Sequence, residues 1–272
     1  MNENSKKPKD NWANGDMYGQ YIGRWSRLVA REFLNWLAVP AGGQWLDVGC
    51  GTGALSQTIL QLAEPAQIKG IDRSEGFVNS AKERVQDNRV RFEVGDAEAL
   101  TDAPKMFDAV VSGLVLNFIP HPERALAEMT RVTRPGGVTA VYVWDYAEGM
   151  QLIRHFFDAA IELEPNAVEH DEGPRFPICR PDGLLQLFEA SGLRNVEVHP
   201  IEVPTVFRDF DDYWSPFLAG QGPAPSYAMS LSEERRTLLR ERIRMSLPYE
   251  SDGSISLIAR AWAAGVSLCS TV

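Results

Sequence analysis

From Gln44 onward the apolar residues fall into a repeating cadence of short continuous runs and longer one-sided runs. Gln44–Val48, Gln67–Ile71, Val90–Val94, Phe107–Ser112 and Val138–Trp144 are the short runs, which fits strands buried on both faces. Between them, residues 54–62, 76–85 and 122–132 carry apolar side chains at helical spacing, with Ala125, Leu126 and Met129 marking one face of the last. Arg134-Pro135-Gly136-Gly137 reads as a turn ahead of the fifth strand. Strands that alternate with helices need crossover connections, so the pattern predicts an α/β fold with a mostly parallel sheet covered on both faces.

Outside this block the cadence breaks. Residues 1–14 are polar, and residues 18–37 form one helical run with Ile22, Trp25, Leu28, Val29, Phe33, Trp36 and Leu37 on its apolar side, stopped by Pro40 and Gly42-Gly43. Residues 147–178 read as helical and then irregular, with residues 169–177 a charged loop. A helix over residues 181–191 ends at Gly192, and residues 195–203 and 254–262 read as strands separated by a long aromatic insert. The expected organisation is a tail (1–14), an N-terminal helical cap segment (15–39), a core (40–146), a cap insertion (147–178), a core helix and strand (179–206), a second cap insertion (207–253) and a last strand with the C-terminus (254–272).

Charge and cysteine usage narrow the function classes. With 27 Lys and Arg against 37 Asp and Glu, the chain carries a formal charge of −10 and no basic block, which argues against a nucleic-acid partner. Cys50, Cys179 and Cys269 are widely spaced and form neither a disulfide framework nor a zinc-ligand pattern, and Asp145 and Asp211-Asp212 form no metal constellation, so no metal is expected. The polar start lacks the apolar stretch of a secretory signal, and no window approaches the ~20 apolar residues of a membrane span. A soluble cytoplasmic protein without a membrane partner is the expectation; a homodimer is compatible with the sequence but not specified by it.

The chemistry concentrates in WLDVGCGTGAL, residues 45–55, where three glycines alternate directly after Asp47 and Val48. A strand that ends in a glycine turn and opens into a helix is a ligand site in doubly wound sheets, because backbone N–H groups can approach the ligand there. Alone the glycines are ambiguous, since Gly49-x-Gly51-x-x-Ala54 also fits a loose dinucleotide fingerprint. Asp72, at the end of the second strand, can accept both hydroxyls of a ribose, and Asp96, after the third, can accept from the amino group of an adenine. An isolated Asp would be read as a turn or helix-cap residue. Three features after three successive strands instead outline an adenosine across the sheet edge.

These residues, with GID, GDAEAL, FDAVVSGLVLNFIPHPERALAEM and VTRPGG following in order, resemble the class I S-adenosylmethionine-dependent methyltransferases, in the type 11 branch that includes ubiquinone and menaquinone biosynthesis enzymes. The resemblance covers residues 40–145 closely, and the helix over residues 179–192 with the two late strands more loosely. It implies a Rossmann-like seven-stranded sheet with an antiparallel last strand and a helical cap built from insertions. It also implies S-adenosylmethionine as cofactor: Asp47, Gly49 and Gly51 at the methionine end, Asp72 at the ribose, Asp96 and Ala97 at the adenine, and Ser112, Gly113 and Leu114 on the sulfonium side, with Cys50 and Arg73 as further cofactor-binding candidates. Tyr21 and Arg24 fall in a segment similar to one that folds over the cofactor, with Arg24 suited to the carboxylate; a solvated helix face is the competing reading.

The methyl acceptor is expected to be a small apolar or aromatic molecule, with Trp144, Tyr146 and Trp214 as contact candidates among rings that otherwise pack the cap's own core. His155 and His121 are the candidate general bases, although His121 before Pro122-Glu123 also reads as a helix-start residue. Two other functions stay open: a non-catalytic cofactor-binding scaffold with an interaction cap, and an NAD-dependent oxidoreductase. The second lacks a Tyr-x-x-x-Lys pair after the fourth strand.

Overall fold

A computed structural model describes residues 22–219 and 222–268. Seven strands form one sheet in the order β3-β2-β1-β4-β5-β7-β6: β1 (Gln44–Val48), β2 (Gln67–Asp72), β3 (Val90–Val94), β4 (Phe107–Gly113), β5 (Thr133–Trp144), β6 (Glu197–Phe207) and β7 (Ile255–Ser267). β1 runs parallel to β2 and β4, β2 parallel to β3, and β4 parallel to β5, whereas β7 pairs antiparallel with β5. The fold is therefore the doubly wound, mostly parallel α/β sheet with an antiparallel last strand. The order reverses beside β1, which places a topological switch point at its carboxyl end, where such sheets bind ligands.

The chain divides into two compact units. The larger, which among the described residues holds 25–145, 177–203 and 260–268, contains α1 (Ser26–Leu37), α2 (Ala54–Leu62), α3 (Glu75–Arg84) and α4 (Pro122–Val132). Its central strands bury Trp45, Leu46, Val48, Ala109, Val110, Val111 and Ala140 almost completely, as expected for strands covered on both faces. The other unit, which among the described residues holds 22–24, 146–176, 204–219 and 222–259, contains α5 (Gln151–Leu163) and the short α6 (Glu172–Arg175). After α7 (Pro181–Ala190) of the larger unit, the smaller one continues with α8 (Phe210–Trp214), α9 (Pro223–Ser230) and α10 (Glu233–Ser246). No helix among the described residues is long and apolar enough to cross a membrane.

Several expectations change. Within the described part of the helical run expected over residues 18–37, the α-helix begins at Ser26, preceded by a 3-10 turn at Gly23–Trp25. Residues 1–21 and Cys269 lie outside the described residues. Arg134–Gly137 is not a free turn but part of β5: Gly136 donates to the Leu268 carbonyl at 2.7 Å and Leu268 donates to Gly137 at 2.8 Å. Pairing with the far end of the chain overrides the local Pro-Gly-Gly preference, and a register shift between Phe107 and Ala109 absorbs the irregularity. The charged loop at 169–177 contains α6, capped by the Asp171 side chain accepting from Gly173 N–H at 2.9 Å. Asp171 is 2% exposed because Arg154 donates to it at 2.5 Å, a charge pair that makes burial of the loop tolerable.

Candidate active site

β1 ends at Val48 and the glycine turn follows. Gly49 has φ +74°, and a Cβ there would come within 2.4 Å of Val115 Cγ1, so both backbone and space require glycine. Gly49 and Cys50 donate their N–H groups to the Ile71 carbonyl at 2.8 and 2.9 Å, Gly51 donates to Asp72 Oδ2 at 3.0 Å, and Gly53 donates to Cys50 O at 2.9 Å. The expectation that these donors would reach a ligand is thus corrected: four amides of the turn are committed to the protein itself. The turn fastens β1 to β2 and holds the Asp72 carboxylate, whose other oxygen accepts from Ser74 N–H at 2.8 Å.

Beside this turn lies a cavity of about 110 Å³, lined by Gly49, Ile71, Asp72, Arg73, Gly95, Asp96, Ala97, Glu98, Val115, Phe118, Ile119 and Pro120. Of the residues read from sequence, Gly49, Asp72, Arg73, Asp96 and Ala97 meet here. The sequence reading missed the opposite wall. Leu114, a non-glycine residue at φ +62°, donates its N–H to the Tyr142 carbonyl at 2.7 Å, and the chain then brings Val115 against Gly49. The apolar Phe118, Ile119 and Pro120 were visible in NFIPHP but had no spacing signal to mark them. Glu98, two residues beyond Asp96, was likewise unassigned. The lining thus carries three carboxylates and one guanidinium around an apolar middle.

Asp47 lies beneath the turn, 1% exposed, with Oδ2 accepting from Ser56 Oγ at 2.6 Å and Oδ1 buried without a hydrogen-bond partner among the described residues. Burial, only partly offset by Ser56, pushes its carboxyl up to about 7. Burial likewise raises Asp72, opposed by the Ser74 and Gly51 amides. Cys50 packs its thiol among Val78, Ala81, Val85 and Phe92, and burial with the nearby Asp47 and Asp72 raises it well above the ordinary thiol value. A buried, protonated thiol in an apolar cluster is a packing residue, and only the Cys50 backbone belongs to the turn. Ser112 is fully buried with Oγ unpartnered; Ser112, Gly113 and Leu114 end β4 but are not among the residues lining the cavity.

The remaining candidates distribute over the two units. His121 is the N-terminal cap of α4, with its Nδ1 3.6 Å from Glu123 and its side chain half exposed, and its backbone N–H donates to Glu98 Oε1 at 3.3 Å. It serves the cavity through its backbone as a helix-start residue. Trp144, also in the sheet unit, is 1% exposed, and its indole N–H finds no partner among the described residues. The other unit holds Arg24, Tyr146, His155 and Trp214. Arg24 lies 3.8 Å from Asp212 and 4.6 Å over the Phe207 ring, and burial lowers its pKa. Burial also lowers His155, against Asp158, which favours the neutral imidazole. Tyr146 and Trp214 are buried in ring packing, Tyr146 6.0 Å from Phe176 and Trp214 5.7 Å from Phe217, which itself stacks on Phe156 at 4.6 Å. Tyr21 lies outside the described residues.

A family model described as a methyltransferase domain matches residues 46–141. The demethylmenaquinone methyltransferase of Renibacterium salmoninarum is 40% identical over 118 residues, which are 43% of this chain and 46% of that protein, so the chain spans about half of that relative's length. The demethylmenaquinone methyltransferase of Bacillus licheniformis is 29% identical over 183 residues, 61% of this chain and 77% of that one. Among solved structures, a Haemonchus contortus phosphoethanolamine N-methyltransferase, in complex with its phosphomonomethylethanolamine and S-adenosylhomocysteine, aligns over 92% of this chain and 57% of its own with a TM-score of 0.57 and 17% identity, a likeness of fold. The glycine turn, the two carboxylates after β2 and β3 and the sheet order all fall within or around the matched segment. Residues 46–141 accordingly match a methyltransferase domain, and the sheet that carries them has the fold of a methyltransferase of known structure.

Proposed function

We propose that the protein transfers a methyl group from S-adenosylmethionine to a small, apolar or aromatic molecule. The observation that carries this reading is the cavity at the switch point, with Asp72 fixed at the end of β2 by the Gly51 and Ser74 amides and Asp96 beyond β3. The residues suit the group. Each Asp72 oxygen accepts one N–H and retains a lone pair for a ribose hydroxyl. Ile71, Val115 and Phe118 offer apolar surface to a base, and Asp96 offers an acceptor for its amino group. When bound, S-adenosylmethionine supplies an electrophilic methyl group on a sulfonium.

The chain's own part is then positional. Holding donor and acceptor in line supplies about 7–11 kcal/mol of barrier reduction without a covalent catalyst. If the acceptor has to lose a proton, His155 is the better base, because burial favours its neutral form, whereas His121 is engaged at the start of α4. A dinucleotide is disfavoured on two counts. The turn's amides are already bonded within the protein, and the three carboxylates of the lining repel a pyrophosphate. The ring-rich composition of the second unit, with Phe156, Tyr213, Trp214 and Phe217 packed together, supports an apolar or aromatic acceptor.

Calorimetry tests the reading. The protein is expected to bind S-adenosylhomocysteine and not NAD. Asp72→Asn is expected to weaken that binding by roughly 10- to 100-fold, the worth of hydrogen bonds to a charged acceptor, with a thermal melt confirming the fold. Comparable binding of NAD, or an unchanged affinity in the folded variant, overturns it.

A further inference from the structure

We propose that Glu98 is a second acceptor for the exocyclic amine of the adenine and that Asp96 and Glu98 together make the site select adenine over bases that carry an oxygen there. The inference rests on the adenosyl reading of the cavity. Both carboxylates line it, and each is held by one oxygen only. Asp96 Oδ1 accepts the Glu98 N–H at 2.9 Å, and Glu98 Oε1 accepts the His121 N–H at 3.3 Å. Asp96 Oδ2 and Glu98 Oε2 accept no hydrogen bond among the described residues. Asp96 lies at the exposed rim, whereas Glu98 is partly buried. Through His121 it ties the strand-side wall, residues 95–98, to the opposite wall formed by Phe118, Ile119 and Pro120, so its carboxylate is fixed relative to both.

An exocyclic amine has two N–H donors, and a single acceptor leaves one of them unpaired in a partly buried site. Two free carboxylate oxygens meet that need. A base with a carbonyl at the same position would place an oxygen against two carboxylates and leave both unpaired. Sites built on buried hydrogen bonds reject such isosteres far more strongly than apolar pockets reject a change of size.

The test compares S-adenosylhomocysteine with S-inosylhomocysteine by calorimetry on wild type, Glu98→Gln and Asp96→Asn. Wild type is expected to favour the adenine compound by more than about 100-fold. Glu98→Gln, which keeps an oxygen for the His121 amide and gains a donor for a carbonyl, is expected to cut that ratio by at least about tenfold, mainly by improving binding of the inosine compound. If Glu98→Gln does not fold, Glu98→Asp serves, because retracting the carboxylate by one methylene should lower the same ratio. A ratio unchanged by the Glu98 variants but collapsed by Asp96→Asn would overturn the proposal and leave the adenosyl reading standing. Failure of wild type to bind either compound would sink both.

Discussion

Asp47→Asn is expected to gain about 4 kcal/mol of stability relative to wild type between pH 4 and pH 8. In the folded protein burial, which disfavours the charged form more than Ser56 favours it, pushes the carboxyl up to about 7 from the ordinary aspartate value of 3.8. An acid whose folded pKa is raised binds its proton more tightly when folded. Its contribution is therefore fully present below about pH 4, falls as pH rises through the window between the two values, and is lost above about 7. Three units at about 1.4 kcal/mol each give the figure. Asparagine does not ionise and keeps an acceptor for Ser56, while its amide finds no partner at the Oδ1 position, a cost of about 1–3 kcal/mol at every pH. The swing with pH, read by denaturant unfolding of both proteins at pH 4, 6 and 8, is thus the informative quantity. A flat difference would show that Asp47 does not carry a strained charge.

Gly49→Ala is expected to cost about 3 kcal/mol and to abolish cofactor binding. The positive φ of +74° costs an L-residue roughly 1–2 kcal/mol, and the new Cβ would lie 2.4 and 3.0 Å from the two Val115 methyls, which must move into the cavity they line. Adding Val115→Ala should recover the steric part and not the backbone part. A double-mutant cycle is expected to return a coupling of about 1–2 kcal/mol. Additive costs in that cycle would mean the Gly49–Val115 contact is not what excludes a side chain.

The first half of the fold was legible because its elements are local and strongly patterned. Gln44–Val48, Ala54–Leu62, Val90–Val94 and Pro122–Val132 fall where the apolar spacing and their bounding Gly, Ser and Pro residues put them. What failed depends on distant partners. Arg134–Gly137 has the composition of a turn and becomes strand through bonds to Leu268, and the charged segment around Asp171 is buried by Arg154 on another helix. The cavity divides along the same line. Asp72 and Asp96 were readable because each follows a strand end; Glu98 and Val115 were not, because their place depends on the His121 amide and on the left-handed turn at Leu114.

The internal bonding of the glycine turn bears on how a ligand is received. With the amides of Gly49, Cys50, Gly51 and Gly53 tied to Ile71, Asp72 and Cys50, this stretch is shaped before anything arrives. Association then loses little free energy to ordering the backbone, which favours tight capture of a matching guest. The same stiffness leaves no slack for guests of another outline, so diversification of such a scaffold has to come from segments that can be remoulded without unpicking its hinge.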